Sequence, residues 1–75
     1  MDEELVSEQV SVERKMFSFT LKQNPRGRFL KITEDVGGRR DTIIIPSTGL
    51  EQVSEAIERM IKADRQAGPV KSDPG

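Results

Sequence analysis

The sequence predicts an α+β unit: a four-stranded antiparallel, curved sheet followed by one C-terminal helix, in the order ββββα. Three patterns point to it. Apolar residues alternate with polar ones over several segments of strand length, with clusters of turn residues between them. A β-branched run, Thr42-Ile43-Ile44-Ile45, stops at Pro46. Beyond Pro46 the period changes, and apolar residues recur at helical spacing.

The elements follow in order. Val6, Val10 and Val12 share a period-2 face that Glu8 interrupts, so residues 5–13 are expected to form the first strand. In the second, Phe17, Phe19 and Leu21 alternate with Ser18, Thr20 and Lys22, as a half-buried strand requires. Gln23-Asn24-Pro25-Arg26-Gly27 has hairpin chemistry: Asn and Gly tolerate positive φ, and Pro25 presets its own. Arg28 to Asp35 is the return strand, and Gly37-Gly38-Arg39-Arg40 the next turn. Ile43 to Ile45 read as a central strand covered on both faces. Ser47-Thr48 offers a helix start, with Thr48 and Glu51 spaced as a capping box. Leu50, Val53, Ile57, Met60, Ile61 and the stem of Asp64 then form one helical face. Residues 1–4 read as a disordered acidic end, 5–66 as the folded unit and 67–75 as a disordered tail.

At 75 residues the chain is expected to be one small domain or a piece of one. A domain of this size hides only ~60% of its unfolded surface, and it commonly needs a disulfide, a metal or a second subunit. Cysteine and histidine are both absent, which removes disulfides, Cys/His zinc sites and imidazole-based triads. The expected stabiliser is another copy of the chain. No nucleophile–base pair stands out, and Glu34-Asp35 lacks an apolar setting that would raise a carboxyl pKa, so an enzyme is not expected and no cofactor is implied. No apolar run reaches membrane-span length, and the acidic start lacks the order of a signal peptide. The expectation is therefore an intracellular protein with no membrane and no small-molecule substrate.

The net charge of −1 conceals an asymmetry. Residues 1–13 carry five acids and no base, for −5, whereas residues 14–40 carry eight bases against Glu34 and Asp35, for +6. Within 20–33 there are four basic residues and no acid, which reads as a locally uniform positive field. Phe29 is out of phase with Leu30 and Ile32 and shares its strand face with Lys31. A ring beside Lys22, Asn24, Arg26, Arg28 and Lys31 has the ingredients of a single-strand platform, with stacking worth ~1–3 kcal/mol per base while cations follow phosphates. Asn24 could add a bidentate hydrogen bond to a base edge. The plainer reading makes Phe29 interface filler and the cations a solubilising hairpin.

Glu13-Arg14-Lys15-x-Phe17, then Leu21-Lys22-Gln23-Asn24-x-Arg26-Gly27-Arg28-Phe29-Leu30-Lys31-Ile32, resembles the PUR repeat of the Pur-alpha family of purine-rich-element binding proteins. Thr42 to Ser47 and the amphipathic helix fall where that repeat places its last strand and its helix, so the resemblance spans about Leu5 to Lys62. It implies a ββββα repeat, two of which intertwine to make one PUR domain. With one repeat here, it implies an intertwined homodimer. It further implies binding of single-stranded, G-rich DNA and RNA, with ATP-independent separation of duplex strands and a role in transcription, in the nucleus or cytoplasm of a eukaryote or the cytoplasm of a bacterium. The family's Lys, Asn, Arg and stacking aromatic are matched by Lys22, Asn24, Arg26 and Phe29, with Gln23 and Lys31 close enough to assist; Arg28 joins the candidate site from the residue pattern alone. The competing function is a protein-interaction or dimerisation module whose basic hairpin docks an acidic partner.

Overall fold

A computed structural model describes residues 2–70. Strands β1 (Glu3–Val12), β2 (Lys15–Asn24), β3 (Gly27–Val36) and β4 (Arg39–Pro46) lead through a 3-10 turn (Ser47–Gly49) to helix α1 (Leu50–Ala67). The strands form one antiparallel sheet in sequence order, β1-β2-β3-β4, because each connection is a tight hairpin. The ββββα reading therefore holds.

Cross-strand partners share a face, so the register sorts the side chains. Phe19 lies opposite Ile32 and Leu21 opposite Leu30, while Leu30 and Ile32 face Ile45 and Ile43. On the other side of β2, Val6 and Val10 pair with Leu21 and Phe17. This is the apolar face. The opposite, polar face carries Ser7, Thr20, Lys31 and Ile44 across the sheet, and Gln9, Ser18, Thr33 and Thr42 beside them.

The turns use the chemistry their positions demand. Gly37 and Gly38 both have positive φ, 58° and 91°, the pattern of the primed turn whose twist matches the strands it joins. Glu13, in the β1–β2 turn, has φ 55° without being glycine, and it is the sole non-glycine at positive φ among the described residues. A left-handed L-residue costs roughly 1–2 kcal/mol, and glycine's extra unfolded-state freedom returns part of that. Glu13→Gly should therefore raise the thermal midpoint by a few degrees, on the scale of ~4–8 °C per kcal/mol for a small domain. Glu13→Ala, which keeps the strain, should give no such gain, and a calorimetric scan of the two variants checks this.

Four details differ from expectation. β1 begins at Glu3 rather than residue 5, because Glu3 and Glu4 pair with Gln23 and Lys22, with a register shift at Leu5. The acidic start is thus part of the sheet. The proposed ends, 1–4 and 67–75, fall at Met1 and residues 71–75 outside the described residues, and α1 itself runs to Ala67. The capping box does not form. Thr48 lies within the 3-10 turn, Gly49 takes the N-cap position, and no side chain caps the helix. Finally, β4 is an edge strand rather than a central one, since the meander ends there, and Ile43 is 57% exposed.

Helix α1 does not close down on the sheet. Leu50, Val53, Ile57 and Ile61 form one wall of an open groove of about 470 Å³, and Phe19, Leu30, Ile32 and Ile45 form the other. Met60 remains 64% exposed and Ile57 55%. No described residue is buried. The accessible surface is 6742 Å², against about 4600 Å² expected for a compact monomer of this mass. The radius of gyration is 15.8 Å where about 11 Å is typical of this length. A lone chain leaves its apolar face open.

Candidate nucleic-acid interface

The β2–β3 hairpin builds the candidate site on the polar face, away from α1. Lys22 and Phe29 are direct cross-strand partners, and Lys31 follows two residues along β3, opposite Thr20. The alternation of β3 puts the ring on this side, since Leu30 and Ile32 are drawn to the apolar face. Phe29, Lys22 and Lys31 are each half-buried, and the ring has Lys22 across the ladder on one side, Pro46 on the other and Lys31 two residues along its own strand.

Asn24 organises the turn. Its Oδ1 accepts the backbone N–H of Arg26 at 2.9 Å, an Asx-type closure that leaves Arg26 exposed at the hairpin tip. Gly27 completes the reversal at φ 149°. The amide of Asn24 donates to Oδ1 of Asp2 at 3.0 Å. Both functional ends of Asn24 are thus already engaged.

Two of the sequence-derived site residues lie elsewhere. Gln23 and Arg28 pair with each other across the strands on the apolar side of the hairpin. The Arg28 guanidinium donates to Gln23 Oε1 at 3.2–3.3 Å, and Gln23 Nε2 donates to Glu3 Oε2 at 2.8 Å. The structure therefore brings together Lys22, Asn24, Phe29 and Lys31, leaves Arg26 at the tip, and turns Gln23 and Arg28 away. The locally uniform positive field is also corrected. The window 20–33 holds no acid, but pairing with β1 sets Asp2, Glu3 and Glu4 beside it.

The second basic turn is partly neutralised. Arg40 pairs with Asp35 at 3.1 Å, and Asp35 also accepts the Gly38 N–H at 3.0 Å. Lys15 pairs with Glu34 at 3.0 Å. Sequence reasoning passed over the hydroxyls that continue the polar face away from Phe29. Ser7 and Thr20 lie 3.2 Å apart and Thr33 and Thr42 3.1 Å apart, each as a cross-strand hydrogen bond. Their signal was the polar phase of β2 and β3, which reads equally well as an ordinary solvent face.

The sheet thus has one apolar, unfilled face and an opposite face that brings an aromatic ring together with two lysines. Residues 2–73 match the family model described as PurA ssDNA and RNA-binding protein. The chain belongs to this PurA family of nucleic-acid-binding proteins. It is 57% identical over 49 residues to "Transcription factor Pur-alpha 1" of Arabidopsis thaliana, a match covering 65% of this chain and 17% of that protein. To the human "Transcriptional activator protein Pur-alpha" it is 32% identical over 68 residues, 89% of this chain and 21% of the relative. Human "Transcriptional regulator protein Pur-beta" is 31% identical over the same share of the chain. The chain thus spans about a fifth of the length of these curated relatives.

Proposed function

We propose that the chain acts inside the cell as a homodimer that binds purine-rich, G-rich single-stranded DNA or RNA, and that it opens duplexes by capturing the released strand rather than by consuming nucleotide. The observation that carries this reading is the placement of Phe29 opposite Lys22 and beside Lys31, on the face that α1 leaves free. Stacking tolerates any base, and purines offer the larger π-surface. The apolar face supports the dimer, because a second copy would cover the groove without touching the binding platform. A part in transcription, as the relatives' names suggest for them, would follow from such strand capture.

Fluorescence anisotropy with a labelled G-rich strand against a C-rich strand of equal length tests the preference. Tighter binding of the G-rich strand is expected. Equal, negligible binding of both would instead favour a module that docks an acidic protein partner.

Salt dependence gives a second check. Each phosphate contact with a single strand contributes a slope of about −0.7 to log K against log salt. Lys22→Ala and Arg26→Ala should each weaken binding and flatten the slope by about that amount. Arg28→Ala should change it less, since its guanidinium is turned to the other face and held by Gln23. Arg26→Ala and Arg28→Ala should alter stability little, because exposed charges contribute little to folding.

A further inference from the structure

The first three acids of the chain sit against the binding hairpin. Asp2 holds the amide of Asn24, Glu3 holds the amide of Gln23, and Glu4 is the cross-strand partner of Lys22. At this end of the sheet Glu4 neighbours Lys22 on the polar face, Glu3 lies with Gln23 and Arg28 on the other, and the charges of Asp2, Glu3 and Glu4 together cancel those of Lys22, Arg26 and Arg28. A phosphate seeking the hairpin amides meets carboxylates already bound there.

Resting on the reading above, we infer that Asp2, Glu3 and Glu4 are specificity-determining residues, screening the hairpin tip from ligands that offer phosphates without unstacked bases. Phe29 lies on β3 and Glu4 on β1, two strand spacings apart, or about 10 Å. That is close to the Debye length at physiological salt, so the acids act mainly on phosphates at Lys22 and Arg26 and only weakly on a base stacked at Phe29 or a phosphate at Lys31, which continue to anchor a base-bearing strand. A phosphate-only chain lacks the stacked base. It gains only where the net potential is positive, and on this face of the tip it would meet Asp2 and Glu4 first, with Glu3 adding to the negative field from the other face. Discrimination thus comes from a repulsive element that disfavours the wrong ligand more than the right one.

The test compares the wild type with the triple variant Asp2→Asn, Glu3→Gln, Glu4→Gln, which removes charge while keeping side-chain shape and hydrogen-bonding capacity. Affinities are measured for a G-rich single strand, for an abasic strand of equal length and for inorganic polyphosphate, with circular dichroism confirming the fold. Affinity for the abasic strand and for polyphosphate should rise about tenfold, and that for the G-rich strand less than about threefold. Glu8→Gln, an acid further along β1 and opposite Phe19, should leave the ratios unchanged. Equal rises for all ligands, or no rise, would overturn the inference. Failure of the wild type to bind the G-rich strand would overturn the proposed function instead, and the polyphosphate measurement would still judge the screen: a rise in the triple variant supports it, no rise overturns it.

Discussion

Phe29→Ala is expected to lower single-strand affinity by about tenfold to a hundredfold, the equivalent of ~1–3 kcal/mol of stacking, while the folded protein survives. The ring lies on the polar face, opposite Lys22 and next to Pro46 of the β4 edge, and takes no part in lining the groove beneath α1. Its removal therefore leaves the apolar face as it was. Phe19→Ala is the matched control, because Phe19 lines that groove opposite Ile32. Truncating it should cost stability on the scale of a core aromatic, ~3–5 kcal/mol, once a partner covers the groove. Thermal midpoint and anisotropy measured on the same samples separate the two rings. Early melting of Phe29→Ala, alongside Phe19→Ala, would make Phe29 a structural residue and move the binding surface elsewhere.

The phase of β2 and β3 was legible in the sequence because period-2 alternation is a direct projection of the pleat. It placed Phe29 and Lys31 together and, read to the end, also places Arg28 with Leu30 and Ile32, on the wrong side for the platform. The Gly37-Gly38 turn was legible for the same kind of reason, since two consecutive positive φ angles call for glycine. What stayed hidden was pairing between distant segments. Asp2 and Asn24 are 22 positions apart, and nothing local to either shows that one will hold the other. The charge balance of the tip is therefore a property of the register, and a window along the chain cannot see it. β4 misled for a different reason. A run such as Ile43-Ile44-Ile45 records how many apolar faces become covered, and it says nothing about whether the covering element belongs to the same chain. In the single chain that strand is an edge with Ile43 and Ile44 largely exposed.

Ile57→Asp is expected to abolish the dimer and, with it, the fold. In the isolated chain Ile57 is 55% exposed on α1, and a substitution at so open a surface position ordinarily changes stability by no more than about 0.5 kcal/mol. The same substitution beneath a partner would bury an unpaired carboxylate, whose desolvation penalty is several kcal/mol. The two situations thus predict opposite results from one change. The excess of accessible surface over a compact monomer, roughly 2000 Å² by size scaling, is of the order that a stable interface buries, and the open groove with β4 concentrates the apolar part of it. Light scattering coupled to gel filtration at micromolar concentration should give the wild type twice the 8.4 kDa chain mass. Ile57→Asp should then appear unfolded or aggregated, because the apolar face of a lone chain is too large to leave in water. Arg59→Ala, two positions away on the helix and off its apolar stripe, should remain dimeric. A folded, monodisperse wild-type monomer, or an Ile57→Asp protein that melts like the wild type, would sink the dimer and leave the groove as a site for some other partner.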